Sequence, residues 1–381
     1  MRGRRRILIV SSVAAAAVAL LACSKGDTAD KSCTGEASAA LSFASGYNNG
    51  FCASNPSAHC TQGTAIPAKT LVFTFDDGPG SQTLQLSAYL KTKGIKATFF
   101  VNGHCFNASP PPQCQQAGLT PADIFTQVLA DGHLVQNHTQ THADLSTDFP
   151  AGAAGDSAIV KELSDTDAII APFVTNNRFL FRAPFGSWSA RDYTVLNASA
   201  MSKYTGPVKW DIGGTMVGQN PAAASSYAAD WDCWQNTNGF GVKTTKECGD
   251  RYFHEIAAIG RGITLMHDAD YGDVTNHSLT SGKGNTIDMV KYLLEGNAGL
   301  GVSGLLAQGY SFMRLDDVPD LASLLPPLPA APDAGPDADD AGSDASASIV
   351  GNDSGASSPK PPAAPDTKNT PVTTQSDPCA H

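Results

Sequence analysis

Asp76 and Asp77 stand side by side where an apolar run, Leu71-Val72-Phe73-Thr74-Phe75, meets a Gly78-Pro79 turn. Side chains alternate along a strand, so neighbouring acids ordinarily face opposite sides. Where the backbone bends out of the strand, both can reach one pocket and take different jobs. Two carboxylates held close repel, and the pair persists only with a cation or a proton between them. His138 and His142, four apart in His138-Thr139-Gln140-Thr141-His142, put two imidazoles on one side of a turn, able to grip one ion. One acid of the pair would complete a two-histidine, one-carboxylate site with positions left for water and substrate. Taken alone, the histidine spacing is better explained by two surface or capping residues; beside a double Asp the balance reverses and it reads as a metal site.

These groups need a scaffold that brings residue 76 to residue 138. Between Pro67 and Pro319 short apolar runs alternate with amphipathic stretches. Strands are expected at 70–75, 97–101, 134–137, 179–182, 208–212, 262–266 and 311–314, and helices at 82–92, 120–131, 157–170 and 287–294. The second helix opens Thr120-Pro121-Ala122-Asp123, an N-cap with proline in the first turn. Strand-then-helix repetition predicts an α/β fold with mainly parallel strands. Chemistry in such folds gathers at the carboxyl ends of the strands, where each motif here sits.

The motifs Thr74-Phe75-Asp76-Asp77-Gly78-Pro79, His138-Thr139-Gln140-Thr141-His142, Arg182-Ala183-Pro184-Phe185-Gly186, Asp230-Trp231 and Leu265-Met266-His267-Asp268 occur in this order. With them the chain resembles the polysaccharide deacetylases, the NodB-homology group known as carbohydrate esterase family 4, over about residues 68–316. The resemblance implies a distorted (β/α) barrel of the NodB-homology type that removes acetyl groups from polymeric sugars with one divalent metal. Position by position it implies Asp77, His138 and His142 as metal ligands and Asp76 as the general base. It further implies Arg182 as the partner that orients Asp76 and His267 as the general acid that protonates the leaving amine. The backbone N–H of Phe185 would hold the developing oxyanion, and Leu265, with Trp231, would line the acetyl pocket. Zn²⁺ is the expected ion, with Co²⁺, Mn²⁺ or Ni²⁺ able to occupy the same ligands. Read without the resemblance, Arg182 suits a structural ion pair, His267 a satisfied turn histidine, and Trp231 and Trp234 core or sugar-stacking positions.

Two departures from the family pattern stand out. The fourth motif, usually an Asp, two residues and Asp-Trp shortly after a strand, is interrupted here by residues 215–229. Asp230 is expected to charge His267, with Asp211 as its rival. Phe185 replaces the more usual Tyr, which costs little if the backbone amide does the work. Loops 103–118 and 144–156 also look inserted.

The ends of the chain set its context. Arg2, Arg4, Arg5 and Arg6 precede an apolar stretch from Ile7 to Leu21, which reads as an export signal over 1–22. The signal closes Leu20-Leu21-Ala22-Cys23 and resembles a bacterial lipobox, so Cys23 is expected to carry a lipid that tethers the chain to a membrane, most simply the outer membrane; ordinary secretion is the alternative. Residues 23–65 form a polar spacer, 66–318 the catalytic domain, and 327–381 a disordered tail rich in Pro, Ala, Asp and Ser. Of the net charge of −11, the tail supplies −6, from eight Asp and two Lys. That balance excludes nucleic acid as a partner. Export predicts paired cysteines, with Cys105/Cys114, Cys233/Cys248 and Cys52/Cys60 as loop staples and Cys33 and Cys379 without evident partners. The leading expectation is therefore metal-dependent removal of N-acetyl or O-acetyl groups from an extracytoplasmic polysaccharide such as peptidoglycan or chitin-like chains. The alternatives are an inactive glycan-binding surface lipoprotein and a non-haem iron oxygenase, which shares the ligand types.

Overall fold

The computed structural model describes residues 65–114, 118–214, 228–235, 241–275 and 278–328. The export signal, Cys23, the cysteine pair 52/60, Cys33, most of the stretch 215–229 and the tail with Cys379 lie outside the described residues.

The first strand, β1 (Thr70–Gly78), is buried at every position, as a strand covered on both faces must be. Its alternate residues part company: Leu71, Phe73 and Phe75 join one apolar cluster with the helices, while Val72 joins a second. Thr74 and Asp76 share the face of Val72. On one edge β1 pairs in parallel with β2 (Thr98–Val101), which pairs with β3 (Leu134–Asn137). On the other edge it pairs with β4 (Gly262–His267). A short hairpin, β5 (Gly296–Asn297) with β6 (Val302–Ser303), precedes β7 (Ser311–Phe312), which meets the start of β1.

The strands expected at 179–182 and 208–212 form only single parallel bridges, Asn137 to Phe181, Leu180 to Thr205 and Ile212 to Thr264. Those bridges nevertheless carry the pairing from β3 round to β4, so its path returns to β1. The ladder is broken there for a chemical reason. Pro207 has no N–H to give, and the Arg182 guanidinium takes the carbonyls of Val208 and Lys209 at 3.1 and 3.3 Å. Gln136 likewise substitutes for a strand partner, accepting from Leu180 N at 2.7 Å and donating to Arg178 O at 3.0 Å.

Helices pack outside the strands: α1 (Thr83–Thr92), α2 (Pro121–Ala130), α3 (Ala153–Ile170), α4 (Ala190–Asn197), α5 (Asp230–Gln235), α6 (Thr245–Ile259), α7 (Thr286–Glu295) and the short α8 (Pro319–Ala322). The expected cap of α2 is a full capping box, Thr120 accepting from Asp123 N while Asp123 accepts from Thr120 N. Ser189/Asp192 and Thr244/Glu247 cap α4 and α6 in the same way. Disulfides join Cys105 to Cys114 and Cys233 to Cys248. Beyond residue 318, Leu321 and Leu325 are buried with Ile66, Val72, Phe100 and Leu180, so the packed chain continues past the expected domain edge.

Candidate metal centre and active site

Alternation along β1 would send Asp77 away from Asp76. The register shifts between Asp76 and Gly78, and Asp77 adopts a left-handed backbone, φ 67°. This bulge brings both carboxylates to the pocket, as bulges beside active sites do. Thr139, His142 and Phe185 are also left-handed, with φ of 71°, 61° and 58°. Such a conformation costs a residue with a Cβ about 1–3 kcal/mol and persists only where surrounding contacts impose it.

The imidazole Nε2 atoms of His138 and His142 lie 3.3 and 3.2 Å from Asp77 Oδ1. That oxygen is buried and has no hydrogen-bond partner, an arrangement that is costly unless something else meets it. Donors bound at about 2.0–2.2 Å to one tetrahedral ion stand roughly 3.3–3.5 Å apart, so the spacing fits a shared cation. Asp77, His138 and His142 thus form a possible metal-binding triad. The tautomer of His138 agrees: its Nδ1–H donates to Arg182 O at 2.8 Å, leaving the Nε2 lone pair toward Asp77. A second group, His104 with Cys105 and Cys114, offers no thiolate because the two cysteines are joined.

Electrostatics follow the same wiring. Burial works against the Asp77 charge, yet the imidazoles of His142, His138 and His267 outweigh it and hold the carboxyl far below its usual range. His138 is pushed up, burial being overcome by Asp76 and Asp77, whereas burial wins at His142 and lowers it.

Asp76 is held differently. Arg182, fully buried, donates from Nη1 to Asp76 Oδ1 at 2.8 Å and to Thr74 Oγ1 at 2.7 Å, and stacks on the Phe100 ring at 4.4 Å. Oδ2 faces His138 Nε2 at 3.6 Å. Across the pocket His267, at the end of β4, gives its Nδ1–H to Asp230 Oδ1 at 2.7 Å and its backbone N–H to Oδ2 at 2.7 Å. Burial disfavours the imidazolium, but Asp230, then Asp77 and Asp76, raise its pKa to about 9. The rival Asp211 accepts from Ile263 N at 2.8 Å, at the opposite end of β4 from His267, and burial raises it to about 6.

A cleft of about 550 Å³ opens over these groups, walled by Phe185, Trp210, Trp231, Leu265 and Tyr271. Phe185 is 68 % exposed, and its ring packs on His142 at 4.5 Å. Residues 64–204 match the family model described as polysaccharide deacetylase. This segment belongs to the polysaccharide deacetylase family. The deacetylase match covers both Asp of the pair, both histidines, Arg182 and Phe185; Asp230, Trp231, Leu265 and His267 lie beyond it and stand on the geometry above. A chitin deacetylase of Pestalotiopsis sp is 30% identical over 210 residues, 54% of this chain and 57% of that one. A chitooligosaccharide deacetylase of Rhizobium leguminosarum bv. trifolii is 32% identical over 145 residues, 38% of this chain and 57% of its own. A peptidoglycan-N-acetylglucosamine deacetylase of Bacillus cereus is 32% identical over 119 residues, 31% and 37% of the two chains. The chain therefore spans less than two thirds of the length of these relatives.

The structure brings together all ten expected site residues: Asp76, Asp77, His138, His142, Arg182, Phe185, Asp230, Trp231, Leu265 and His267. Sequence reasoning passed over three others. Trp210 sits on the same face as Val208 in the broken strand and stands 5.7 Å from the Arg182 guanidinium, a position that alternation alone could have suggested. Asp268, the residue after the last motif histidine, is buried against Thr83 at 2.5 Å, and burial raises it to about 7. Tyr271 donates to Asp77 Oδ2 at 2.9 Å, and no spacing rule points to it.

Proposed function

We propose that this chain is a metal-dependent deacetylase of N-acetylglucosamine-containing polysaccharides. One observation carries the reading: two adjacent carboxylates are wired oppositely, Asp77 to two imidazoles and Asp76 to a buried arginine. Asp77, His138 and His142 would hold the ion, for which Zn²⁺ is the best match and Co²⁺, Mn²⁺ or Ni²⁺ alternatives. Bound there, a divalent ion acidifies water and polarises the acetyl carbonyl.

Asp76 accepts the proton of the attacking water on Oδ2 while Arg182 fixes Oδ1, so the base cannot swing away. Water adds to the carbonyl carbon, and the Phe185 N–H is the candidate donor to the oxygen as charge builds there. His267, charged at neutral pH, releases its Nε2 proton to the amide nitrogen as the C–N bond breaks, and acetate and a free amine remain. Leu265 and Trp231 make an apolar seat for the acetyl methyl, while the exposed Phe185 ring and Trp210 offer faces for sugar rings. A base locked to arginine and an acid charged by Asp230 have work in hydrolysis and none in oxygenation, which favours a hydrolase over an iron oxygenase.

The names of the relatives support chitin-like and peptidoglycan glycans as the substrate class. Two disulfides support an oxidising compartment, in keeping with an exported, Cys23-anchored lipoprotein. The test is acetate release from chitin oligomers, peptidoglycan, poly-N-acetylglucosamine and acetylated xylan, with and without a chelator. Release from a GlcNAc polymer, abolished by chelation and restored by Zn²⁺ or Co²⁺, is expected. Release that ignores the chelator, or none from any polymer, overturns the proposal.

A further inference from the structure

Tyr271 is absent from every motif, yet its hydroxyl lies 2.9 Å from Asp77 Oδ2. Tyrosine hydroxyls stay protonated near neutrality, so at this distance Tyr271 donates and the carboxylate accepts. The two oxygens of Asp77 then differ sharply. Oδ2 accepts from the phenol and has the His267 Nε2 at 3.8 Å, while the buried Oδ1 has no hydrogen-bond donor and faces both imidazoles at 3.2–3.3 Å.

The loop that carries the tyrosine is moored on three sides. Asp268 N donates to Asp76 O at 3.2 Å, and Asp270 N to Gln113 O at 2.9 Å in the disulfide-closed loop. The Asp270 carboxylate accepts from Ser81 N at 3.0 Å. Gly80 permits this approach, since a Cβ there would meet Asp270 Oδ1 at 2.8 Å. The ring of Tyr271 stands edge-on to His267 at 5.8 Å. Its hydroxyl is therefore delivered by the scaffold and does not hang on the ligand.

We propose that Tyr271 is a positioning residue for the metal ligand Asp77: its hydroxyl occupies Oδ2 and so reserves Oδ1 for the ion. The inference rests on the metal site of the preceding section. Without the phenol, Asp77 is free to rotate about its last torsion, to turn Oδ2 toward the cation or to take water, and the ordered ligand set must be bought back on binding. Loss of such an outer partner typically weakens metal affinity about 10–100-fold.

The experiment is a zinc titration of the full, metal-stripped chain against a chromophoric chelator. Wild type is compared with Tyr271→Phe, which keeps the ring, and with Tyr89→Phe, which removes a hydroxyl bonded to Glu295 far from the site. The expected result is a zinc Kd raised about 10–100-fold in Tyr271→Phe alone, with metal-free melting temperatures alike in all three. Equal Kd values for wild type and Tyr271→Phe overturn this inference and leave the metal site standing. A metal-free Tyr271→Phe chain that melts well below wild type assigns the tyrosine to fold stability and also overturns it. A wild type that takes up no zinc overturns both readings.

Discussion

Asp76 and Asp77 are the same side chain one residue apart, and their partners give them different tasks. The same logic separates His267 from His138 and His142, the proposed ligands. Its Nδ1 is committed to Asp230, a carboxylate whose oxygens also accept from Trp231 N at 2.9 Å and Thr286 Oγ1 at 3.0 Å. Asp230→Asn removes the charge while keeping the shape, so the imidazolium loses its main support. A general acid works only while protonated, so activity falls as pH rises through its pKa. The variant's basic limb should therefore move to lower pH, with acetate release down about 10²-fold or more at alkaline pH. Rates measured between about pH 6 and pH 10 would show this, and an unmoved limb would remove His267 from the acid's role. Asp230 was legible as the carboxylate of an Asp-Trp pair despite the stretch that separates it from its strand. Tyr271 was not, because only the folding back of its loop brings it to Asp77.

At the scale of elements, sequence pattern served best where packing is regular. β3 runs over the expected residues, and α2 begins at the expected Thr-Pro signal. It served worst around Arg182, whose side chain consumes strand carbonyls that a period-two pattern assumes are paired with backbone. The helix α6 escaped notice because its buried stripe, Cys248, Tyr252 and Ile256, is sparse among charged residues. That helix positions a half-buried acid, Glu255, which accepts from Gly213 N at 3.0 Å and whose pKa burial raises to about 7 from a reference of 4.5. A carboxyl that is harder to ionise folded than unfolded favours folding when protonated. Its contribution is present below about pH 4.5, is lost as pH rises to about 7, and stays lost above. Glu255→Gln mimics the neutral form. It should be more stable than wild type at pH 8 by about 1–2 kcal/mol and nearly equal at pH 5 in urea unfolding. A variant less stable at both pH values would show that the charged form is the one the fold wants.

For the whole molecule, the sequence placed the end of the packed domain too early. Arg178 Nη1 donates to Pro326 O at 2.8 Å and the side chain pairs with Asp316 at 3.2 Å, fastening the chain on both sides of α8 to the body. Leu321 and Leu325 fill the cluster beneath Val72 and Phe100. A chain stopped after Val318 should lose about 3–6 kcal/mol, at about 1.5–3 kcal/mol for each of the two buried leucines. One stopped after Pro329 should match the full chain, and identical urea midpoints for both truncations would show that residues 319–328 contribute nothing. The four left-handed residues around the cleft have a different kind of consequence. A thermostability screen that scores only folding would reward glycine or asparagine at 77 and 142, where the backbone prefers them, and each gain would erase a proposed metal ligand. Hardening this protein for use therefore has to begin elsewhere, and, on the proposed metal site, loading with a divalent cation would offset the backbone strain without touching the chemistry.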